Sequence, residues 1–375
     1  MKKLIWIIII LAVIAGIWHV SSQESAGPVS GETIKIGAVL PMTGAGASYG
    51  EDQKRAIALA VEEINAEGGV RGIPLEVIYE DDQTDPKVTV SAAQKLINVD
   101  GVKVIIGGVW DHLANAIAPV IDQEKIVLIS PSVNADTVGV SSPYFFMTYP
   151  PVASMGPAFE EFLTKFENPK VVTMTWNNNW GLGHAEVFKE AVAKTGGQVV
   201  KEIVLTKPDG NDIQRELTLL VPLNPDIIFT VMNFSDTAVF ARKKSELGIK
   251  ATTLNHYNLA TTYLNGQIPN EFMEGLYVFK NSPSNTEFVE KYKNRYQMEL
   301  QIPDADSAYD AVHVIRLALE NNGGDTSADA LVSGIHAIKN YQGASGLIDF
   351  SQTNYTENKK PVLEVFQGGK FVEVK

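Results

Sequence analysis

Residues 34–86 read IKIGAVLPMTGAGASYGEDQKRAIALAVEEINAEGGVRGIPLEVIYEDDQTDP, and this stretch decides the fold class. The apolar run 34–40 predicts a strand, the glycine-containing segment after Pro41 predicts a loop, and apolar residues at helical spacing then predict a helix. A second strand at 75–79 follows within a few residues. A strand, a helix and a strand in this order predict a right-handed parallel crossover and therefore an α/β fold.

The glycine loop favours a small-molecule site over a dinucleotide site. Gly44, Gly46 and Gly50 do not have the G-x-G-x-x-G spacing that cradles a pyrophosphate. Strands and helices alternate in the same way to the end of a run at 144–149, and the alternation restarts after Pro150-Pro151. In this second half the apolar spacing predicts helices at 184–194 and 237–247, among others. The order predicts two lobes of the same kind.

Length and charge narrow the class of protein. With 375 residues, 45% hydrophobic and 20% charged, the chain is too long for one ordinary core and suits two soluble domains. A formal net charge of −13 argues against nucleic acid as a partner. The chain has no cysteine, which excludes disulfides, cysteine ligands and thiol catalysis.

The first residues predict export. Lys2 and Lys3 precede an apolar stretch at 4–18, after which polar residues return. Residues 1–22 are therefore predicted to be either a signal peptide, cleaved after Ser22, or an N-terminal membrane anchor. Both alternatives place the bulk of the chain outside the cytoplasmic membrane.

The sequence does not predict an enzyme, a metal site or a cofactor. Its six histidines are scattered without the spacing of metal ligands, and no nucleophile is paired with a base. The acidic run at 80–82, with Asp85, precedes Pro86, where carboxylates satisfy the N–H groups of turns and helix starts.

Residues at the carboxyl ends of the predicted strands are the candidate ligand-binding residues, because ligands of open α/β sheets bind there. Aromatic side chains dominate the set and predict a cleft that stacks on or encloses an apolar or cationic solute. The candidates are Tyr49, Trp110, Asp111, Ser132, Val133, Asn134, Asn179, Trp180, Phe234 and Tyr257.

Several motifs resemble those of the leucine/isoleucine/valine-binding family, which are type I periplasmic solute-binding proteins that feed ABC transporters. The resemblance covers about residues 33–375. The motifs are IKIGAVLPMTG, YGEDQ, AVEEINAEGGVRG, EDDQTDP, AAQKLI, ISPSVNA, WNNNWGLG, NPDIIF, ARKKSELG and SAYDAV.

The resemblance implies two doubly wound, Rossmann-like lobes with parallel central sheets, joined by a three-passage hinge. Lobe 1 is expected at 33–149 plus 281–344 and lobe 2 at 150–280 plus 345–375, with passages near Tyr149, Lys280 and 345–350. The implied function is an extracytoplasmic receptor that closes around a small molecule and presents it to an ABC permease. A membrane-anchored receptor that signals rather than transports is the alternative.

The chain departs from the amino-acid receptors of this family at positions that hold the ligand. Trp110-Asp111 stand where a serine helps to hold the ligand carboxylate, and Asn134 stands where a threonine is usual. In those receptors an acidic residue meets the ligand ammonium, and the corresponding position in this chain lies near Tyr257. A branched-chain amino acid is therefore not expected to be the solute, although Asp111 offers a relocated ammonium partner.

Overall fold

The computed structural model describes residues 32–134, 136, 142–206, 211–302, 304–357 and 359–374. Residues 1–31, which hold the predicted signal peptide or anchor, lie outside these ranges. Among the described helices, none combines the length and the apolar character needed to cross a bilayer.

Lobe 1 is built on a five-stranded parallel sheet in the order β2-β1-β3-β4-β5. Its strands are β1 (Ile34–Leu40), β2 (Leu75–Asp81), β3 (Val104–Gly107), β4 (Val127–Ser130) and β5 (Phe145–Met147). Its helices are α1 (Ala47–Ala66), α2 (Pro86–Asn98), α3 (Asp111–Glu124), α9 (Thr286–Tyr296), α10 (Ala305–Asn321) and α11 (Ala328–His336). The strands β11 (Tyr341–Gln342) and β12 (Leu347–Ile348) form a separate two-stranded antiparallel sheet.

Lobe 2 is built on a seven-stranded sheet in the order β14-β13-β10-β9-β8-β6-β7. Its strands are β6 (Lys170–Trp176), β7 (Gln198–Leu205), β8 (Ile227–Val231), β9 (Thr252–His256), β10 (Tyr277–Asn281), β13 (Pro361–Gln367) and β14 (Lys370–Glu373). Its helices are α4 (Gly156–Leu163), α5 (Asn179–Lys194), α6 (Asn211–Leu220), α7 (Phe234–Glu246) and α8 (Asn258–Leu264).

Both sheets have the doubly wound order 2-1-3-4-5, since β7-β6-β8-β9-β10 repeats the order β2-β1-β3-β4-β5. The predicted α/β fold of two doubly wound lobes is thus confirmed. Within the two large sheets, only β13 and β14 run antiparallel to their described neighbours, and the Gly368-Gly369 turn between them has positive φ at both residues, as a tight hairpin requires.

Apolar side chains fill both faces of each sheet. In lobe 1, β1 packs against α1 and α10 on one face and against α2 and α3 on the other. In lobe 2, on one face of the sheet, the ring of Phe229 stacks on those of Phe188 and Phe279, and the ring of Phe159 packs edge-on against them. Each lobe therefore has its own core. The carboxyl ends of the strands in both lobes remain available to line a cleft.

The structure differs from the predicted third passage at 345–350. Ile348 and Phe350 are fully buried in the core of lobe 1, and the Phe350 ring packs edge-on against Phe146 at 5.7 Å. Tyr355 also forms a bridge with Met147 of β5. Lobe 1 therefore extends to about residue 355, and the chain passes to lobe 2 between Tyr355 and Pro361.

The three passages lie against one another and against α10. Thr148 of the first donates to the carbonyl of Ser307 at 2.9 Å. Ser282 of the second donates its backbone N–H to the carbonyl of Lys360 in the third at 2.7 Å. These bonds join the second passage to the third, and the first passage to α10, beneath the cleft.

Candidate functional site

A cavity of about 840 Å³ lies between the lobes, where the strands of both sheets end. Nine of the ten predicted site residues line it: Tyr49, Trp110, Asp111, Ser132, Asn134, Asn179, Trp180, Phe234 and Tyr257. Val133 does not line it, because its side chain is buried in the core of lobe 1 between the sheet and α3. The structure thus brings together residues that are far apart in the sequence.

Three helices begin at the cavity wall, at Asp111 (α3), Asn179 (α5) and Phe234 (α7). The side chain of Asn178 accepts a hydrogen bond from the N–H of Gly181 at 2.8 Å and so caps α5. A Cβ at Gly181 would clash with the Trp176 carbonyl oxygen, so glycine is required for this close approach. The partial positive charge of these helix ends therefore lies at the cavity.

The aromatic wall predicted from the sequence is formed by side chains of both lobes. The rings of Tyr49 and Trp110 in lobe 1 meet edge-on at 5.9 Å. In lobe 2 the ring of Trp180 lies 4.7 Å from that of His256. The phenol oxygens of Tyr49 and Tyr257 are 3.2 Å apart across the cleft, so the two lobes already touch at this point.

The cavity histidines contribute ring surface and no charge. Burial lowers the pKa of His184 to about 4, and its Nδ1–H donates to the Trp180 carbonyl at 2.8 Å. Burial also lowers the pKa of His256 well below its usual value, and the neighbouring His184 lowers it further. Burial lowers the pKa of His112 as well.

Asp304 is a cavity residue that the sequence reasoning missed. It immediately precedes α10, and its side chain is 4% exposed. Burial raises the pKa of its carboxyl to about 7, against an opposing hydrogen bond from Ser132. An aspartate before a helix reads as an ordinary N-cap, so the sequence alone gave no signal for it.

The hinge also supplies polar residues that the sequence reasoning did not select. Tyr149, Lys280 and Asn281 line the cavity from the first two passages. The Lys280 ammonium pairs with Glu364 at 2.8 Å, on β13 of lobe 2. Among the described lining residues, Lys280 is the only lysine or arginine.

The described part of the chain contains no group of three or more histidine, aspartate or glutamate side chains that could hold a metal ion. The acidic turn after β2 acts as predicted. Asp85 caps α2 by accepting from the N–H groups of Lys87 and Val88, and Asp82 accepts from Thr84.

Comparisons with known proteins match nearly the whole chain. A family model described as periplasmic binding protein matches residues 33–370. The Leu/Ile/Val-binding protein homolog 3 of Brucella melitensis is 24% identical over 347 residues, which are 90% of this chain and 93% of that protein.

Two solved structures have closely similar folds. The leucine-binding protein LivK from Thermotoga maritima has a TM-score of 0.78 and 25% identity, over 92% of this chain and 98% of that one. A solute-binding protein of an ABC transporter from Rhodopseudomonas palustris, in complex with 3,4-dihydroxybenzoic acid, has a TM-score of 0.77 and 26% identity, over 91% of this chain and 96% of that one.

Proposed function

Because the chain belongs to the family of periplasmic binding proteins, whose members are solute-binding receptors and not enzymes, we propose that it is the extracytoplasmic solute receptor of an ABC transporter. Its solute is an amino-acid-like molecule, an amide or an aromatic compound. Similar proteins are named for binding leucine, isoleucine and valine, and one was solved with an aromatic acid.

One observation carries this proposal: both lobes contribute side chains to the same cavity. Tyr49, Trp110 and Ser132 come from lobe 1, and Trp180, Phe234 and Tyr257 come from lobe 2. A solute makes both sets of contacts only when the lobes are closed. The difference in contact free energy between the closed and open states then shifts the population toward the closed state.

The nine predicted residues that line the cavity are proposed to contact the solute, and Val133 to support the loop between them from the core. The half-buried rings of Trp110 and Trp180 supply apolar area, and the polar side chains set the orientation of the solute.

A thermal-shift screen over amino acids, amides, aromatic acids and amines tests the binding function. A solute at a hundred times its Kd should stabilise the fold by about 2.7 kcal/mol. Small-angle scattering on the complex should then show a smaller radius of gyration than the free protein. An unchanged scattering curve with saturating solute would remove the clamp mechanism, whatever the solute is.

Two further parts of the proposal concern place and partner. Protease added to intact spheroplasts should digest the chain, whether it is released or anchored, and full protection would contradict an extracytoplasmic location. The liganded receptor should stimulate ATP hydrolysis by its reconstituted permease complex. A receptor that binds solute but never stimulates a permease would favour the signalling alternative.

A further inference from the structure

The carboxyl of Asp304 has one oxygen that the described residues leave without a partner. Gln53 donates to the hydroxyl of Ser132 at 2.5 Å, and Ser132 in turn hydrogen-bonds the Asp304 carboxyl. Asp304 Oδ1 is buried and has no hydrogen-bond partner among the residues that the structure describes. A buried carboxylate oxygen without a donor is costly, and Asp304 is one of the residues that line the cavity.

The helix beside it does not use this carboxyl. Asp304 occupies the residue before α10, but its side chain makes no capping hydrogen bond. The buried cation nearby, Lys359, donates to Asp306 Oδ2 at 2.5 Å. A residue in this position commonly caps the helix that follows it. The side chain of Asp304 lines the cavity instead.

The formal charges of the side chains around the cavity favour a cation over an anion, while the partial positive charge of the three helix N-termini acts in the opposite sense. Two carboxyls, Asp111 and Asp304, line it, while its one described lysine, Lys280, is paired with Glu364. The faces of the lining aromatic rings also carry the negative part of the ring quadrupole. A carboxylate ligand would meet no arginine among the described lining residues.

We propose that the solute carries a protonated amine next to an aromatic or bulky apolar group, and that Asp304 Oδ1 accepts a hydrogen bond from that amine while the aromatic wall encloses the rest. The inference rests on the proposed receptor function and specifies the solute class of the same cleft.

Calorimetry with four matched probes tests the inference: phenethylamine, 2-phenylethanol, 3-phenylpropionate and phenylalanine. The wild-type protein should bind phenethylamine at least tenfold more tightly than the alcohol or the acid, because a charged donor to a buried carboxylate is worth more than a neutral one. Phenylalanine should bind less tightly than phenethylamine, since among the described lining residues its carboxylate would meet no arginine and one lysine, Lys280, that is already paired with Glu364.

The isosteric variant Asp304→Asn should lose at least tenfold in affinity for phenethylamine and keep its affinity for 2-phenylethanol. Glu167→Gln is the matched control, because it removes one exposed carboxylate in the turn between α4 and β6, at the opposite end of that strand from the cleft. It should leave all four affinities unchanged. Far-ultraviolet circular dichroism checks that both variants are folded.

Proton release separates a direct ionic contact from a structural role. A carboxyl with a pKa of about 7 is half protonated at neutral pH, so binding an amine should release about half a proton. Affinity for phenethylamine should fall about tenfold from about pH 8 to about pH 6, and Asp304→Asn should show neither effect.

Other charged or titratable groups face the same region. The phenols of Tyr49, Tyr149 and Tyr257 have pKa values raised by burial and stay neutral over this range, and the buried histidines, with lowered pKa values, stay neutral as well. Asp306 and Lys359 form an ion pair, and Asp111, Lys280 and His112, whose pKa burial lowers, also lie at the cavity.

The outcomes distinguish the inference from the function on which it rests. Equal or tighter binding of the acid or the alcohol, or an Asp304→Asn variant that binds phenethylamine as wild type does, would overturn the amine site and leave the receptor function intact. A wild-type ligand without an amine, found in the broader screen while phenethylamine fails, would have the same meaning. If no solute of any class binds, both proposals fall.

Discussion

Replacing Lys359 with methionine should destabilise the fold by about 3–5 kcal/mol, the usual cost of removing one partner of a buried ion pair. Lys359 and Asp306 have side chains that are 1% and 0% exposed, and Nζ lies 2.5 Å from Oδ2. The other oxygen of Asp306 accepts from the N–H of Ser307 at 2.6 Å. Methionine has a similar volume, so the variant removes the charge and leaves little cavity.

Urea unfolding followed by tryptophan fluorescence measures this loss as a lower midpoint with an unchanged slope. Lys194→Met is the matched control, because Lys194 also pairs with a glutamate, Glu160, at 2.7 Å, but the side chains are 64% and 37% exposed. Because solvent screens that surface pair, its loss should shift the midpoint much less than the loss of the buried pair. Lys359→Met and Asp306→Asn combined should recover part of the loss, since no buried charge is then left alone.

The same variant should also weaken amine binding at neutral pH. Burial raises the pKa of the Asp304 carboxyl, and the positive charge of Lys359 acts against this by lowering it. Without Lys359 more of the Asp304 carboxyl is protonated at pH 7, and less of it can pair with a cation.

If Lys359→Met and Lys194→Met shift the urea midpoint equally, the buried pair is not a stabilising element of the hinge and the reasoning about stability fails.

Three other predictions concern the cleft itself. Trp110→Ala and Trp180→Ala should each weaken solute binding at least tenfold, or about 1.4 kcal/mol. Neither change should unfold the protein, because both rings are only half-buried. An unchanged Kd would show that the aromatic wall does not contribute to binding. Leucine, isoleucine and valine should be poor ligands, since Trp110-Asp111 replace the hydroxyl for their carboxylate; micromolar binding in calorimetry would contradict this. Asp304→Asn should be more stable than wild type at about pH 8, by up to about 4 kcal/mol, because the folded-state pKa of about 7 exceeds the ordinary 3.8.

The sign of the Asp304 effect follows from proton linkage. A carboxyl whose pKa is raised on folding binds more protons in the native state, so it destabilises the fold as pH rises from about 4 through about 7. The difference between Asp304→Asn and wild type in urea unfolding should therefore be largest above pH 7 and vanish below about pH 4. A difference that grows on acidification would show that Asp304 is stabilised as a carboxylate.

The repeating strands and helices could be predicted from the sequence because each core strand and each core-facing helix has its own apolar period. The predicted helices at 184–194 and 237–247 nevertheless begin too late: α5 begins at Asn179 and α7 at Phe234. Their first turns face the cavity rather than the core, and such a turn has no reason to show the apolar spacing of a core-facing helix.

The third passage was misplaced for a related reason. Ile348 and Phe350 alternate with polar residues as a strand would, and the sequence does not reveal which of two similar cores receives them. Packing against Phe146 and the bridge from Tyr355 to Met147 assign them to lobe 1. A contact between distant segments decided this, and local pattern carries no information about it.

Within the candidate site, strand-end position located nine lining residues but could not separate neighbours in one loop. Ser132 and Asn134 line the cavity while Val133 between them is buried in the core, so consecutive residues face different surroundings. Asn134 also donates to the Pro150 carbonyl at 2.6 Å, which ties this loop to the first passage.

Asp304 and Asp306 show how the fold separates a structural carboxyl from a candidate binding one. Both are nearly fully buried and lie two residues apart at the start of α10. Asp306 has a lysine and a backbone N–H within hydrogen-bond distance, so the protein itself satisfies it. Asp304 has the Ser132 hydroxyl on one side and the cavity on the other. A partly unsatisfied buried carboxyl lowers stability, and such local violations concentrate at functional sites. The buried Asp304 carboxyl lowers the stability of the free protein. An amine that pairs with it when the cleft closes would recover this free energy, which would then contribute to binding.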